Sequence, residues 1–190
     1  LALVGATYAN GYVKNKVMEF VGPGVASLSA DCRNGIDCMT TETTCWSSIW
    51  QTDGVTEEYL AGHGRADAYK ELKPADVAYY DGCIELDLSK IECMIALPMH
   101  PSYAYPIREL KANAKDLLHE IETRANEQLS GKVKMDLVSK VRADGSIYVD
   151  QGIVAGCSGG TYENLCAVAD ILRGKSCGNG EFKFSAYPDS

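Results

Sequence analysis

The side chain with the most chemical promise is Cys157, set in the run Gly156-Cys157-Ser158-Gly159-Gly160. A thiol at a strand-to-helix turn lies beside unpaired backbone N–H groups and the positive end of a helix dipole, and both favour the thiolate. The thiolate is the form that binds soft metals or attacks an electrophile, so Cys157 is a candidate metal ligand or nucleophile. The competing reading is a buried structural cysteine. Glu42 is the second candidate, because it sits on a segment otherwise made of Thr, Cys, Ser and Trp, a poor setting for a solvated charge. The plainer reading is a surface glutamate on a polar helix face.

The other polar and sulfur side chains are less pointed. Cys32, Cys38, Cys45, Cys83, Cys93, Cys166 and Cys177 show no ligand spacing, although Cys38 and Cys45 share a helix face at i, i+7, and they read as core or surface thiols. His63 and His119 lie in polar sequence. His100, between Met99 and Pro101, reads first as structural and second as a substrate contact. Arg65 and Asp67 can pair or cap a helix, and Trp46, Trp50 and the tyrosines are assigned to the core.

Elements must position these groups. Ser146 to Ala155 closes β-branched and aromatic residues on small ones, which predicts a strand entering the Cys157 loop. Leu165, Val168 and Leu172 recur at i, i+3 and i+7 until Gly174, which predicts a helix leaving it. Val17 to Val21 predicts a strand ending at the turn Gly22-Pro23-Gly24, which lacks the G-K-[ST] of a phosphate loop. Ile36, Met39, Thr43, Trp46 and Trp50 predict a helix from 36 to about 49 that carries Glu42, and a second short helix follows from Val55 to Ala61. Ile84, Leu86 and Leu88, alternating with Glu85 and Asp87, predict a half-buried strand. Pro98, Pro101 and Pro106 mark an extended connection, after which Ile107, Leu110, Ala114, Leu117, Ile121 and Ala125 predict an amphipathic helix.

Composition bounds the function classes. The chain has 190 residues, 46% of them apolar and 23% charged, as expected of a soluble globular protein that needs no disulfides. A net charge of −8 with no basic stripe argues against a nucleic-acid or anionic-membrane partner. No apolar run is long enough to span a bilayer and no signal peptide opens the chain, so the eight cysteines read as reduced cytoplasmic thiols. The chain opens at Leu1 in mid-pattern and closes just after the strand-like Phe182 to Tyr187, so it is expected to be a piece of a longer protein.

Several stretches in order resemble the aconitase family of iron-sulfur hydro-lyases. They are Met18-Glu19-Phe20-Val21-Gly22-Pro23-Gly24-Val25 with Ser27-Leu28-Ser29, Ile36 to Thr44 with Met39 and Glu42, Gly64-Arg65-Ala66-Asp67, Glu85-Leu86-Asp87-Leu88-Ser89, and Gly156 to Leu165. The last resembles the family's Gly-Ser-Cys-Thr-Asn loop, whose cysteine is the first ligand of a 4Fe-4S cluster. The sequence departs from the family at Cys38, commonly asparagine, and at Ser158-Gly159, where Thr-Asn is usual. Ala96 to Ser102 points to a hydratase branch apart from the housekeeping citrate enzyme.

The resemblance implies a three-layer α/β/α fold, with residues 1–105 as the family's second domain, 106–145 as a connector with a helix, and 146–190 as the start of a third domain. It implies a hydratase or dehydratase acting on a small hydroxy-carboxylic acid. Cys157 would ligate the 4Fe-4S cluster, and Glu42 would hydrogen-bond the oxygen that the open iron polarises. The other ligands and the base would lie in flanking domains of the same chain, so this piece alone would hold no cluster and be inactive. A thiol-dependent enzyme using Cys157 and a non-enzymatic binding module stand as alternatives.

Overall fold

Small and apolar residues open the chain as a short helix, α1 (Ala2–Thr7), whose Val4 and Thr7 are buried. The computed structural model of the chain describes residues 1–178 and 180–189. Strand β1 (Val17–Phe20) follows, then a Pro23–Ser27 turn of 3-10 helix, helix α2 (Ala30–Thr40), and strand β2 (Ser47–Trp50). β1 and β2 pair in parallel with Val17 opposite Ser47 and Phe20 opposite Trp50. Parallel neighbours need a crossover, and α2 supplies it. The Phe20 and Trp50 rings stack with centroids 4.2 Å apart at the end of the pair.

Helix α2 is shorter than its periodicity predicts, because the run Thr40-Thr41-Glu42-Thr43-Thr44 satisfies its own carbonyls. Thr40 Oγ1 donates to Asp37 O at 2.7 Å, Thr41 Oγ1 to Cys38 O at 2.9 Å, and Thr43 Oγ1 to Thr40 O at 2.6 Å. These bonds compete with continued helix. The chain tightens to 3-10 geometry over Thr41–Thr43, turns left-handed at Thr44 (φ 63°), and enters β2. Trp46 and Trp50 therefore share a helical spacing without sharing a helix.

The β2 strand leads to α3 (Gly54–Gly62), capped by Asp53, whose carboxylate accepts from Val55 N at 3.1 Å and Thr56 N at 3.3 Å. The same carboxylate meets buried Arg33 of α2 in two bonds of 2.9 and 2.8 Å. Arg33 also donates to Val25 O at 2.8 Å and Leu28 O at 3.1 Å, so its charge is fully partnered.

Residues 63–93 run mostly exposed. The alternation at Ile84, Leu86 and Leu88 does not become a strand; Leu88–Lys90 forms a 3-10 turn with Asp87 accepting from Ser89 N at 3.0 Å. Alternation prepares two faces but not a pairing partner, and among the described residues no strand lies alongside. Strands β3 (Met94–Ala96) and β4 (Ala104–Pro106) then pair antiparallel.

Helices α4 (Ile107–Ala112) and α5 (Ala114–Gln128) follow, parted at Asn113 where one amphipathic helix was expected. Leu97, Leu110, Leu118 and Ile121 form the main buried cluster, with Tyr103, Tyr105, Leu137, Val141 and Ile147 packed on it. The core thus centres on 97–121 and its surroundings. Glu122 of α5 holds the next segment by accepting from Leu137 N at 2.8 Å and Val138 N at 3.1 Å.

The last part repeats the first. Strand β5 (Gln151–Val154), helices α6 (Gly156–Gly159) and α7 (Tyr162–Leu172), and strand β6 (Lys183–Ala186) make a second parallel strand pair with a helical crossover. The architecture is α/β, as expected, with the described strands in three two-stranded sheets. No helix among the described residues is long and apolar enough to cross a membrane.

Candidate functional site

The Cys157 loop is built by β5 and closed by a tight backbone approach. Gly156 has φ 80°, a conformation that suits glycine. At Gly160 a Cβ would lie 2.5 Å from Tyr187 O, so only glycine lets the chain pass there. Gly160 O in turn accepts from Asp189 N at 2.8 Å. Instead of one helix leaving the loop, α6 is a single turn and α7 starts five residues beyond Cys157. The dipole argument made for a long helix at the thiol does not carry to so short a one. Cys157 is exposed.

The loop docks on α2. Ser29, the α2 N-cap, donates a hydroxyl hydrogen bond to the Glu163 carboxylate, and Asp31 accepts from Glu163 N at 3.0 Å, completing the start of α7. One turn further, Gly35 faces Ser158, where a Cβ would stand 3.4 Å from Ser158 O. One more turn brings Cys38, whose thiol has the Cys157 thiol as a neighbour. Burial pushes the Cys38 thiol up, and the Cys157 thiol and the Asp37 and Asp189 carboxylates push the same way. Asp37 is held elsewhere, by Trp50 Nε1 at 2.8 Å and by the Ser48 hydroxyl.

Glu42 lies on the 3-10 turn after α2, four residues beyond Cys38, with its side chain half exposed. Its Oε2 is 4.0 Å from His100 Nε2. The His100 ring is fixed on three sides. Its Nδ1 accepts from Ser102 N at 3.1 Å and lies 2.9 Å from Ser102 Oγ, and Tyr8 stacks on its face at 3.8 Å. With Nδ1 used as an acceptor, the neutral ring carries its proton on Nε2, toward Glu42. The loop holding His100 turns at Met99, whose φ is 85°.

The structure therefore brings Cys157 to Cys38 near the C-terminal end of α2 and His100 to Glu42 on the turn just beyond it. Cys38, read from spacing as an ordinary thiol, is the residue that spacing missed. Its signal was Gly35 one turn earlier, a gap in the side-chain surface through which another backbone can approach. His100 could be named from sequence but not joined to Glu42, since 58 residues part them. His63, by contrast, caps its own helix, with Nδ1 2.7 Å from Tyr59 O.

Thiolates are the donors that iron-sulfur clusters use, and Cys157 fits as one ligand. A complete set is not present here, for among the described residues no group of three or more His, Cys, Asp or Glu is placed to hold a metal.

Comparison with known proteins adds the lineage. The model of the aconitase family (aconitate hydratase) matches residues 1–190. The chain is 30% identical over 158 residues to the 2,3-dimethylmalate dehydratase large subunit of Eubacterium barkeri, covering 83% of the chain and 30% of that protein. It is 28% identical over 165 residues to the 3-isopropylmalate dehydratase large subunit of Caldicellulosiruptor bescii, covering 87% and 30%. With 3-isopropylmalate dehydratase large subunit 1 of Pyrococcus furiosus it shares 29% over 175 residues, covering 92% and 33%. The chain spans about a third of the length of these relatives.

Proposed function

The chain belongs to the aconitase family, and from that premise we propose that it is part of a hydro-lyase that adds water to, or removes it from, a small hydroxy-carboxylic acid with a 4Fe-4S cluster. The observation that carries this reading is the docking of α6 on α2, which sets Cys157 on the helix face that leads, one turn on, to Glu42. The relatives support the substrate class, being named for the dehydration of substituted malates.

In this reading Cys157 binds the cluster as a thiolate. The cluster, when bound, supplies a Lewis-acidic iron for the hydroxyl that leaves. Glu42 accepts a hydrogen bond from that hydroxyl and orients it. His100, its ring held by Ser102 and Tyr8, faces Glu42 with Nε2 at 4.0 Å, beyond hydrogen-bond distance and within electrostatic reach. Residues 1–105 and 146–190 act as two α/β parts meeting at this face, joined by 106–145. The remaining ligands and the base come from further domains, so the isolated chain is inactive. Eight free thiols fit a reducing cytoplasm, and a net charge of −8 fits a small-molecule substrate and not a nucleic acid.

The test is anaerobic reconstitution with ferrous iron and sulfide on a longer polypeptide that contains this chain, read by visible absorption and by turnover of substituted malates. Cys157→Ser is expected to abolish the absorption. Glu42→Gln is expected to keep the absorption and lower kcat by about 10²-fold. Absorption that survives Cys157→Ser, or full turnover with Glu42→Gln, would overturn the assignment.

A further inference from the structure

We propose that Cys38 and Cys157 form a reversible oxidation site that closes to a disulfide under a hydroperoxide. The two thiols come from elements 119 residues apart in sequence, yet the fold sets them side by side. Helices α2 and α6 meet without an intervening side chain, since a Cβ on Gly35 would lie 3.8 Å from Ser158 Cα. Cys38 is one turn along from Gly35 and Cys157 adjoins Ser158, so both Cβ atoms project from backbones already at contact. A disulfide needs Cα atoms about 4.4–6.8 Å apart, and the contact of Gly35 with Ser158 brings the neighbouring stretches of backbone toward that range.

The surroundings favour this pair over others. Cys157 is exposed and Cys38 half-buried, so a small peroxide reaches the site. Of the other thiols near α2, Cys45 points back to its own turn and donates to Thr40 O at 3.3 Å, and Cys32 sits near the start of the helix, beside Glu163. Cys166 on α7 is engaged with Tyr162.

The chemistry balances with a hydroperoxide as oxidant. The Cys157 sulfur attacks the O–O bond; an S–O bond forms, O–O breaks, and water or an alcohol leaves. The Cys38 sulfur then attacks the sulfenic sulfur; S–S forms, S–O breaks, and hydroxide departs with the Cys38 proton as water. Two electrons pass from the sulfurs to the peroxide, and a dithiol returns them. The consequence for catalysis rests on the reading of Cys157 as a cluster ligand, because the disulfide withdraws that thiolate from iron.

The test uses the iron-free chain, so its result does not depend on whether a cluster assembles. The chain is treated with stoichiometric hydrogen peroxide, alkylated, digested without reduction and mapped by mass spectrometry. A linked Cys38–Cys157 peptide is expected, with the free thiols falling by two from eight and returning to eight with dithiothreitol. In Cys38→Ala the linked peptide is expected to vanish and Cys157 to yield a dimedone adduct instead. Cys157 carried to sulfinic acid in the unsubstituted chain, joined to a different cysteine, or left unoxidised would each overturn the proposal, whether or not the variant folds.

Discussion

Asp53 does two jobs with one carboxylate, capping α3 and pairing with buried Arg33, and the pair sets how the chain responds to acid. The Arg33 guanidinium holds the Asp53 carboxyl below its ordinary value, with the Thr56 and Val55 amides assisting against the opposing effect of burial. A carboxyl lowered in the folded state contributes stability that is complete above the ordinary aspartate range, near pH 4, and lost as pH falls through the lowered value. Asp53→Asn is expected to cost roughly 3 kcal/mol at neutral pH, because it leaves the buried Arg33 charge with only neutral partners. The variant should also flatten the acid limb of a stability curve measured by urea unfolding between about pH 5 and pH 2. An unchanged acid limb would place the lost protons elsewhere. The pair itself was invisible in sequence, since 20 residues separate its members and nothing in their spacing joins them.

At the scale of elements, Thr43 decides where α2 stops. Its hydroxyl is fully buried and bonded to Thr40 O, so it closes the helix and releases the chain into β2. Thr43→Val keeps the volume and the β-branch but removes the donor, leaving Thr40 O with the weak Cys45 thiol in place of a hydroxyl. A loss of about 1–3 kcal/mol is expected by thermal or chemical unfolding, against little change for Thr41→Val on the exposed side. Equal effects at the two sites would remove the capping role. Strands β1 and β5 and helix α7 were legible because their periodicity is locally enforced. The over-long α2 was not, because hydroxyl-to-carbonyl bonds outweighed a hydrophobic spacing that happened to continue through Trp46 and Trp50. The strand expected at 84–88 failed for a different reason: its alternation is real, but pairing is a property of neighbours that the segment does not contain.

For the molecule as a whole, the segment that reads as a connector carries the largest part of the core. Ile121 and Ala125 of α5 are fully buried, and Leu118 and Leu110 nearly so. Ile121→Ala is expected to cost about 2–5 kcal/mol in a single unfolding transition seen alike by far-ultraviolet and tryptophan signals. Since Trp46 and Trp50 lie in the first strand unit, a tryptophan transition that ignores the substitution would show that the two regions unfold separately. The helix of this core was readable from 3.6-residue spacing, with Leu118 buried where Leu117 was expected. The site was half readable. Cys157 and Glu42 were named by their settings, whereas Cys38 and His100 acquire their neighbours only through the docking of α6 on α2 and the turn at Met99.

The Asp31 carboxylate that accepts from Glu163 N belongs to one strand unit and caps the helix of the other. Thr161, the residue in the capping position itself, gives α7 no side-chain hydrogen bond of its own. Helix α7 therefore cannot finish its first turn within its own stretch of chain and must borrow the missing acceptor from α2. The first turn of α7 is thus secured where it sits against α2, and it is expected to fray when that seating is lost. Any cleft at the seam between the two units shares that dependence.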